Sequence, residues 1–195
     1  MAYCDEWPEE VRRRTLKYIR NNNDGKLISI NVLEYATVII NYVASTFYFT
    51  KTNPDPADPY PVVLIEADNT TSESWVIKAC KVSFIGRAQG RLQCALMINN
   101  PVGINAGRIS TEDNFIADGI SRIANSSNAD DYFLTLQQDY PQLRSCRRFH
   151  PSAELVSAVV HTLLHGHCTD PLQISRTLLN NLGKNTICDG VPTWD

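Results

Sequence analysis

The stretch that decides the fold runs from Val62 to Lys78 and reads Val-Val-Leu-Ile-Glu-Ala-Asp-Asn-Thr-Thr-Ser-Glu-Ser-Trp-Val-Ile-Lys. Val62 to Ile65 are apolar in a row, too short for a buried helix and rich in β-branching. They read as a central strand covered on both faces. Asp68 and Asn69 end that strand, and Thr70, Thr71 or Ser72 can cap a helix that carries Trp75, Val76 and Ala79 inward. A carboxylate at the carboxyl end of a buried strand lies where open α/β sheets place their ligands. Asp68 can equally be no more than a helix cap, and partners elsewhere in the chain decide between the two.

Upstream, Thr50 to Pro61 is rich in proline and turn formers and reads as a surface loop,. Before it, a helix starting at Asn31 places Leu33, Ala36, Ile40, Val43, Ala44 and Phe47 on one stripe, with Glu34 near its entry as a site acid or a first-turn dipole acid. Leu27 to Ile30 is a short strand candidate. Pro8-Glu9-Glu10 opens a helix with Arg12 to Arg20 behind its acids,. Downstream, Ser83 to Asn99 reads as a helix along Phe84, Ala88, Leu92, Ala95, Leu96 and Asn99, weakened by Gly86 and Gly90. Val102 to Ile109 is a strand interrupted by Gly103 and Gly107. Ser110 to Asp113 caps the next helix, on which Asp118 is either an ordinary surface acid or a site residue.

The polar run at residues 125–131 is the best boundary in the chain. Beyond it the pattern is helical only: Ser152 caps one helix that stops at Gly166, and Asp170-Pro171 starts another with Gly183 just past its end. The expected organisation is a helical and turn segment at 1–26, an α/β domain at 27–124, a linker at 125–131 and a small helical extension at 132–195.

With 43% hydrophobic and 20% charged residues, the 195-residue chain has the makeup of a soluble globular protein and not of a disordered one,. A net charge of −3 argues against a non-specific nucleic-acid coat,. Basic residues nonetheless cluster, at Arg12 to Arg20, at Lys78, Lys81, Arg87 and Arg91, and at Arg144 to Arg148. The six cysteines are far apart and without Cys-x-x-Cys spacing, which reads as reduced thiols in a cytoplasmic or nuclear protein,. No apolar run reaches membrane-span length, so no membrane partner is expected.

Glu34, Asp68 and Asp118 come from three separate elements that can converge at one edge of a mixed sheet. Clustered carboxylates are costly unless a cation neutralises them, and their hard oxygens suit Mg²⁺ or Mn²⁺. Two such ions about 4 Å apart activate water and stabilise the leaving oxygen in phosphodiester hydrolysis.

Three motifs carry a resemblance: Ile28-Ser29-Ile30-Asn31-Val32-Leu33-Glu34, Glu66-Ala67-Asp68-Asn69-Thr70-Thr71-Ser72, and Asn114-Phe115-Ile116-Ala117-Asp118-Gly119-Ile120-Ser121-Arg122. In this order they resemble the ribonuclease H domain of retroelement reverse transcriptases, most nearly that of tyrosine-recombinase (DIRS-like) polyproteins, over about Leu27 to Ile123. The resemblance implies an α/β RNase H-like mixed sheet with flanking helices. It implies catalytic and metal-binding roles for Glu34, Asp68 and Asp118 with Mg²⁺ or Mn²⁺, and an RNA–DNA hybrid or other nucleic acid as partner. Asn69 would orient the site, Lys78, Lys81, Arg87 and Arg91 would meet phosphates, and the reverse transcriptase portion of a larger polyprotein would be a further partner. That family draws a first catalytic Asp from an opening strand that has no counterpart here, so the domain reads as amino-terminally truncated with an open sheet edge. The alternative is a non-catalytic nucleic-acid-binding or protein-interaction remnant; a third reading is a helical adaptor centred on 132–182.

Two further groups stand out. His161 and His165 lie one helical turn apart, with His167 and Cys168 close behind, and can form a zinc cluster or a helix-end histidine group near the dipole,. Arg144 to His150 mixes cations with Phe149, as a nucleic-acid contact or as a connector packed on the core.

Overall fold

Between Ile30 and Thr52 only Glu34 and Lys51 carry charge, and apolar residues fall on every side of the helical wheel. A helix with that composition has to be surrounded. A computed structural model of the chain describes residues 7–20, 27–52, 61–78, 83–100, 102–123, 129–145, 148–184 and 186–188. In it the segment forms one helix, α2 (Ile30–Thr52), after α1 (Glu9–Arg20). Tyr35, Ala36, Ile39, Ile40, Tyr42, Val43 and Phe47 of α2 are all buried. The single stripe expected from the sequence is therefore too narrow; α2 is the axis of the molecule, not a flanking helix.

Leu27 to Ile30 is not a strand. The Ser29 carbonyl accepts from the backbone N–H groups of Val32 (3.1 Å) and Leu33 (3.2 Å), which begins α2, and Ile28 is buried beside it. Burying Ile28 needs one turn of chain and no sheet partner. At the other end α2 runs through Thr52, so Thr50 to Thr52 are helical and not loop. Residues 53–60 lie outside the described residues.

The strand of the opening motif, β1 (Val62–Ala67), is followed by α3 (Thr70–Lys78), α4 (Phe84–Ile98) and β2 (Gly103–Arg108). β1 and β2 pair in parallel, Val62 opposite Gly103 through Ala67 opposite Arg108. A Cβ at position 103 would come within 3.3 Å of Val62 Cγ2, so glycine lets the two backbones meet there. The expectation of a central strand buried on both faces is overturned. Val62 is 62% and Leu64 60% exposed, while Val63 and Ile65 turn inward toward α2 and α3. A run of four apolar residues does not distinguish a two-sided strand from one whose outer face is apolar but uncovered. Among the described residues the sheet is a parallel pair rather than the expected larger mixed sheet.

After β2 come α5 (Phe115–Ile123), α6 (Ala129–Asp139), β3 (Arg148–His150), α7 (Ala153–His165), α8 (Pro171–Asn180) and β4 (Thr186–Cys188). The chain is thus mixed α/β, with a second, antiparallel pair β3–β4 where a purely helical extension was expected. Residues 129–131 of the expected linker open α6, and 124–128 lie outside the described residues. Caps follow the sequence closely. Ser83 Oγ accepts from Gly86 N–H (3.1 Å), Ser152 Oγ from Leu155 N–H (3.3 Å) and Asp170 Oδ1 from Gln173 N–H (3.0 Å). Gly166 ends α7 at φ 65°, whereas α8 ends at Asn181 and not at Gly183.

One hydrophobic core runs through both sides of the expected boundary. Ile39, Ile40, Phe47, Leu92 and Leu96 share it with Phe149, Leu155, Val159, Leu163 and Leu178, and the Phe47 and Phe149 rings lie 6.2 Å apart. Phe149, expected either as a nucleic-acid contact or as a packed connector, is buried in this core. Buried polar groups lock α2 to its neighbours. Tyr42 OH donates to the Val102 carbonyl, and Asn100 Nδ2 donates to Tyr42 OH (3.2 Å) and Thr46 Oγ1 (2.7 Å), which fixes where β2 begins. Burial pushes the Tyr42 phenol up to about 12.

Candidate functional site

At the carboxyl end of β1 the chain must turn into α3, and Asn69 makes that turn. Its Oδ1 accepts from Thr71 N–H (2.8 Å), the N-cap role that the sequence had offered to Thr70, Thr71 or Ser72 and, in its plainer reading, to Asp68,. Ser72 is free of that role and sits fully buried between α3 and α2. Its hydroxyl donates to Glu34 Oε2 at 2.9 Å. Asn69 Nδ2 donates to Asn31 Oδ1 at 2.7 Å, and Asn69 is also a hydrogen-bond partner of Glu34. Two residues that lie far apart in sequence, Glu34 and Asp68, thereby face one polar cluster at the end of the parallel strands.

The opposite wall comes from the turn that leads into α5. Ser110 Oγ accepts from Asp113 N–H (3.1 Å) and donates to Asp113 Oδ2 (2.6 Å), which closes a tight polar turn. This presents Asn114, whose Nδ2 donates to Asp68 Oδ2 at 3.1 Å. Asp118 stands one turn further along α5, its N–H bonded to the Asn114 carbonyl (3.0 Å).

Electrostatics mark Glu34 as the unusual acid. Burial raises its pKa above the ordinary value; the Ser72 hydroxyl works against that rise, the Asp68 charge adds to it, and Asn69 opposes it. Two carboxylates in one half-buried cluster repel each other, and a hard cation or a proton would relieve that. The structure brings Glu34 and Asp68 together with Asn69, whereas Asp118 is placed by the backbone of α5, one turn beyond Asn114, and not as a third acid of the cluster. Among the described residues no group of three or more His, Cys, Asp or Glu side chains is arranged to hold a metal ion.

The cations expected at phosphates fall elsewhere. Lys78 is exposed at the far end of α3, about 12 Å along the helix axis from Thr70,. Arg87 and Arg91 are exposed on the side of α4 that meets α8, where with Ile98, Pro171 and Leu172 they line an open cavity of about 350 Å³. The side of α4 that faces α2 and α3 carries Gln93 instead, which accepts from Tyr35 OH and donates to the Val76 carbonyl. Lys81 lies outside the described residues. Arg12 and Arg13 of the first basic cluster form exposed ion pairs with Glu9 (2.8 Å) and Glu10 (2.5 Å), and Arg14 donates to the Leu164 carbonyl at the end of α7.

The residues that sequence reasoning left out of the site are Asn31, Ser72 and Asn114. Each lay inside a quoted motif, yet nothing in the spacing distinguishes an orienting amide or hydroxyl from a cap. No helix among the described residues is long and apolar enough to cross a membrane. No family model, no curated protein and no solved structure matches the chain.

Proposed function

We propose that the Glu34–Asp68 cluster is the metal-binding site of a ribonuclease H-like domain derived from a retroelement polyprotein, and that it acts on the RNA strand of an RNA–DNA hybrid. The observation that carries the reading is the meeting of Glu34 and Asp68 at the carboxyl end of β1, from two of the three motifs that suggested it. The donor set fits Mg²⁺ or Mn²⁺: carboxylate and amide oxygens only, with a repulsion that a divalent cation would relieve. Glu34, Asp68 and, from α5, Asp118 would hold the ion, which when bound supplies water activation and charge stabilisation for phosphodiester hydrolysis. The chain's own part is orientation. Ser72 aims the Glu34 carboxylate, Asn114 aims Asp68, and Asn69 ties both α2 and α3 to the end of β1.

A second reading, a non-catalytic binding module on the same scaffold, rests on a different observation. Arg87 and Arg91 line the cavity against α8 and not the acidic cluster, so hybrid binding and catalysis need not share a site.

Incubation of the full chain with a labelled RNA–DNA hybrid and Mn²⁺ or Mg²⁺ decides between them. The enzyme reading expects metal-dependent cleavage that Asp68→Asn reduces at least about 100-fold, in line with losing a positioned group worth several kcal/mol. A folded protein that binds the hybrid without cutting it, and loses that binding in Arg87→Ala/Arg91→Ala, establishes the second reading. Neither cleavage nor binding removes nucleic acid from both.

A further inference from the structure

The last turn of α7 carries His161 and His165, four residues apart and so on one face,. The helix stops at Gly166, whose φ of 65° and N–H bond to the Thr162 carbonyl (2.9 Å) turn the chain back. A side chain at 166 would collide with the Phe84 ring, its Cβ 2.2 Å from Cε1, so the reversal depends on glycine. The reversal returns His167 to the same face. The three imidazole centroids form a triangle with sides of 4.6 Å (161–165), 5.0 Å (161–167) and 5.8 Å (165–167). Cys168 points the other way and is buried in the core, outside the cluster.

These distances suit a shared ion. A metal about 2.1 Å from one nitrogen of each imidazole places each centroid about 3 Å from the ion, and tetrahedral angles then space the centroids at about 5 Å. The observed sides bracket that value. As they stand the rings lie face to face, 20° to 40° from parallel, and their donor atoms do not converge. All three side chains are exposed, and the torsion that turns an imidazole about its attachment is soft,. Convergence requires the rings to turn about that torsion from these positions,.

We propose that His161, His165 and His167 form a tridentate site for a borderline divalent transition ion, Zn²⁺ in the first place, with solvent as the fourth ligand. Three neutral nitrogens select Zn²⁺, Co²⁺ or Ni²⁺ over Mg²⁺ and Mn²⁺, the reverse of the preference of the Glu34–Asp68 cluster. The site clamps the turn at Gly166 to α7, and because the ion binds the folded chain it raises thermal stability.

The test is a Zn²⁺ titration of the full, chelator-stripped chain by calorimetry, with Co²⁺ absorption in the visible as the spectroscopic check. One ion per chain is expected, not displaced by excess Mg²⁺, with a rise in Tm. His165→Gln and the double variant His161→Gln/His167→Gln, which touch exposed residues and leave the far-ultraviolet dichroism unchanged, lower the affinity at least about tenfold each. Cys94→Ser, at an exposed thiol away from the cluster, changes nothing. Zinc binding that survives the histidine variants, that is lost instead in Cys94→Ser or Asp68→Asn, or that fails to saturate below about 1 mM overturns the proposal.

Discussion

The helical side of the molecule and its β1–β2 side are built to different standards. Around α2, side chains from α4 and α7 close a core in which Phe47, Leu92, Leu96, Leu155 and Phe149 are almost wholly buried. β1 has a single described neighbour in its sheet, and its outer face shows Val62 and Leu64 to solvent. A two-stranded pair is marginal by itself and stands here because α2 and α3 support its inner face,. The acidic cluster lies at the end of this thinner side. Stability is concentrated where helices surround α2, and the polar chemistry sits where coverage is least, as is usual for sites that must admit a ligand.

The largest expected effect tests this contrast directly. Phe47→Ala removes a ring 2% exposed from the centre of the core and is expected to cost about 3–5 kcal/mol in urea unfolding,. Leu64→Ala trims a side chain of similar apolar character that is 60% exposed and is expected to stay within about 0.5 kcal/mol,. A Leu64→Ala loss of several kcal/mol would mean that the outer face of β1 is covered in solution, and the contrast between the two sides would fall.

A flaw on the helical side sharpens the comparison. Gln89 and Gln93 lie one turn apart on α4, both buried. Gln93 is bonded at both ends of its amide, to Tyr35 OH and to the Val76 carbonyl. Gln89 is 0% exposed, and among the described residues neither its Nε2 nor its Oε1 has a hydrogen-bond partner. Burying an unbonded amide costs about 1–3 kcal/mol. Gln89→Met, nearly equal in shape, is therefore expected to stabilise the chain by about 1–2 kcal/mol on the same unfolding curve. The matching change Gln93→Met is expected to destabilise it, because the Tyr35 hydroxyl loses its acceptor. If Gln89→Met lowers stability instead, an ordered water completes the amide and the helical core is wet at that point.

Much of this was legible from residues alone where a local rule suffices. Ser83, Ser152 and Asp170-Pro171 mark helix starts through side-chain oxygens that accept from backbone N–H groups, Gly166 marks a helix end through its left-handed backbone, and the structure uses all four. Motif order led to an expected meeting of Glu34, Asp68 and Asp118; Glu34 and Asp68 share one polar cluster, and among the described residues no third acid joins them to hold a metal. What depends on long-range packing was not legible. Four apolar residues at Val62 to Ile65 carry no record of whether a second layer covers them. Leu27 to Ile30 has the composition of a strand, and only the Ser29 carbonyl, by starting α2, decides otherwise. Short strands such as β3 and β4 exist through each other, Phe149 opposite Ile187, and leave almost no local pattern. Asn114 is a site residue because Asp68 happens to lie beside it, a fact of tertiary structure.

The smallest expected effect concerns the site itself and depends on sign. Burial first, and the Asp68 charge after it, hold the folded-state pKa of Glu34 above its ordinary 4.5. A carboxyl with a raised folded pKa contributes stability that is fully present below the unfolded value and is lost as pH rises through the folded one. Near neutral pH the ionised Glu34 is therefore a cost to the fold. Glu34→Gln keeps an oxygen to accept from Ser72 but cannot ionise, so its Tm should exceed that of the parent near pH 7. The gap should close as pH falls through the raised folded-state pKa toward 4.5, and be gone below it, where the parent carboxyl is protonated in both states,. Millimolar Mg²⁺ sharpens the same measurement, since a cation on the cluster should raise the parent's Tm and leave that of Glu34→Gln nearly unmoved. A parent more stable than Glu34→Gln at every pH, without metal, would show that the Ser72 and Asn69 hydrogen bonds to the carboxylate outweigh its burial. The thin side of the molecule would then hold its acid for stability, and the case for a cation there would lose its electrostatic ground.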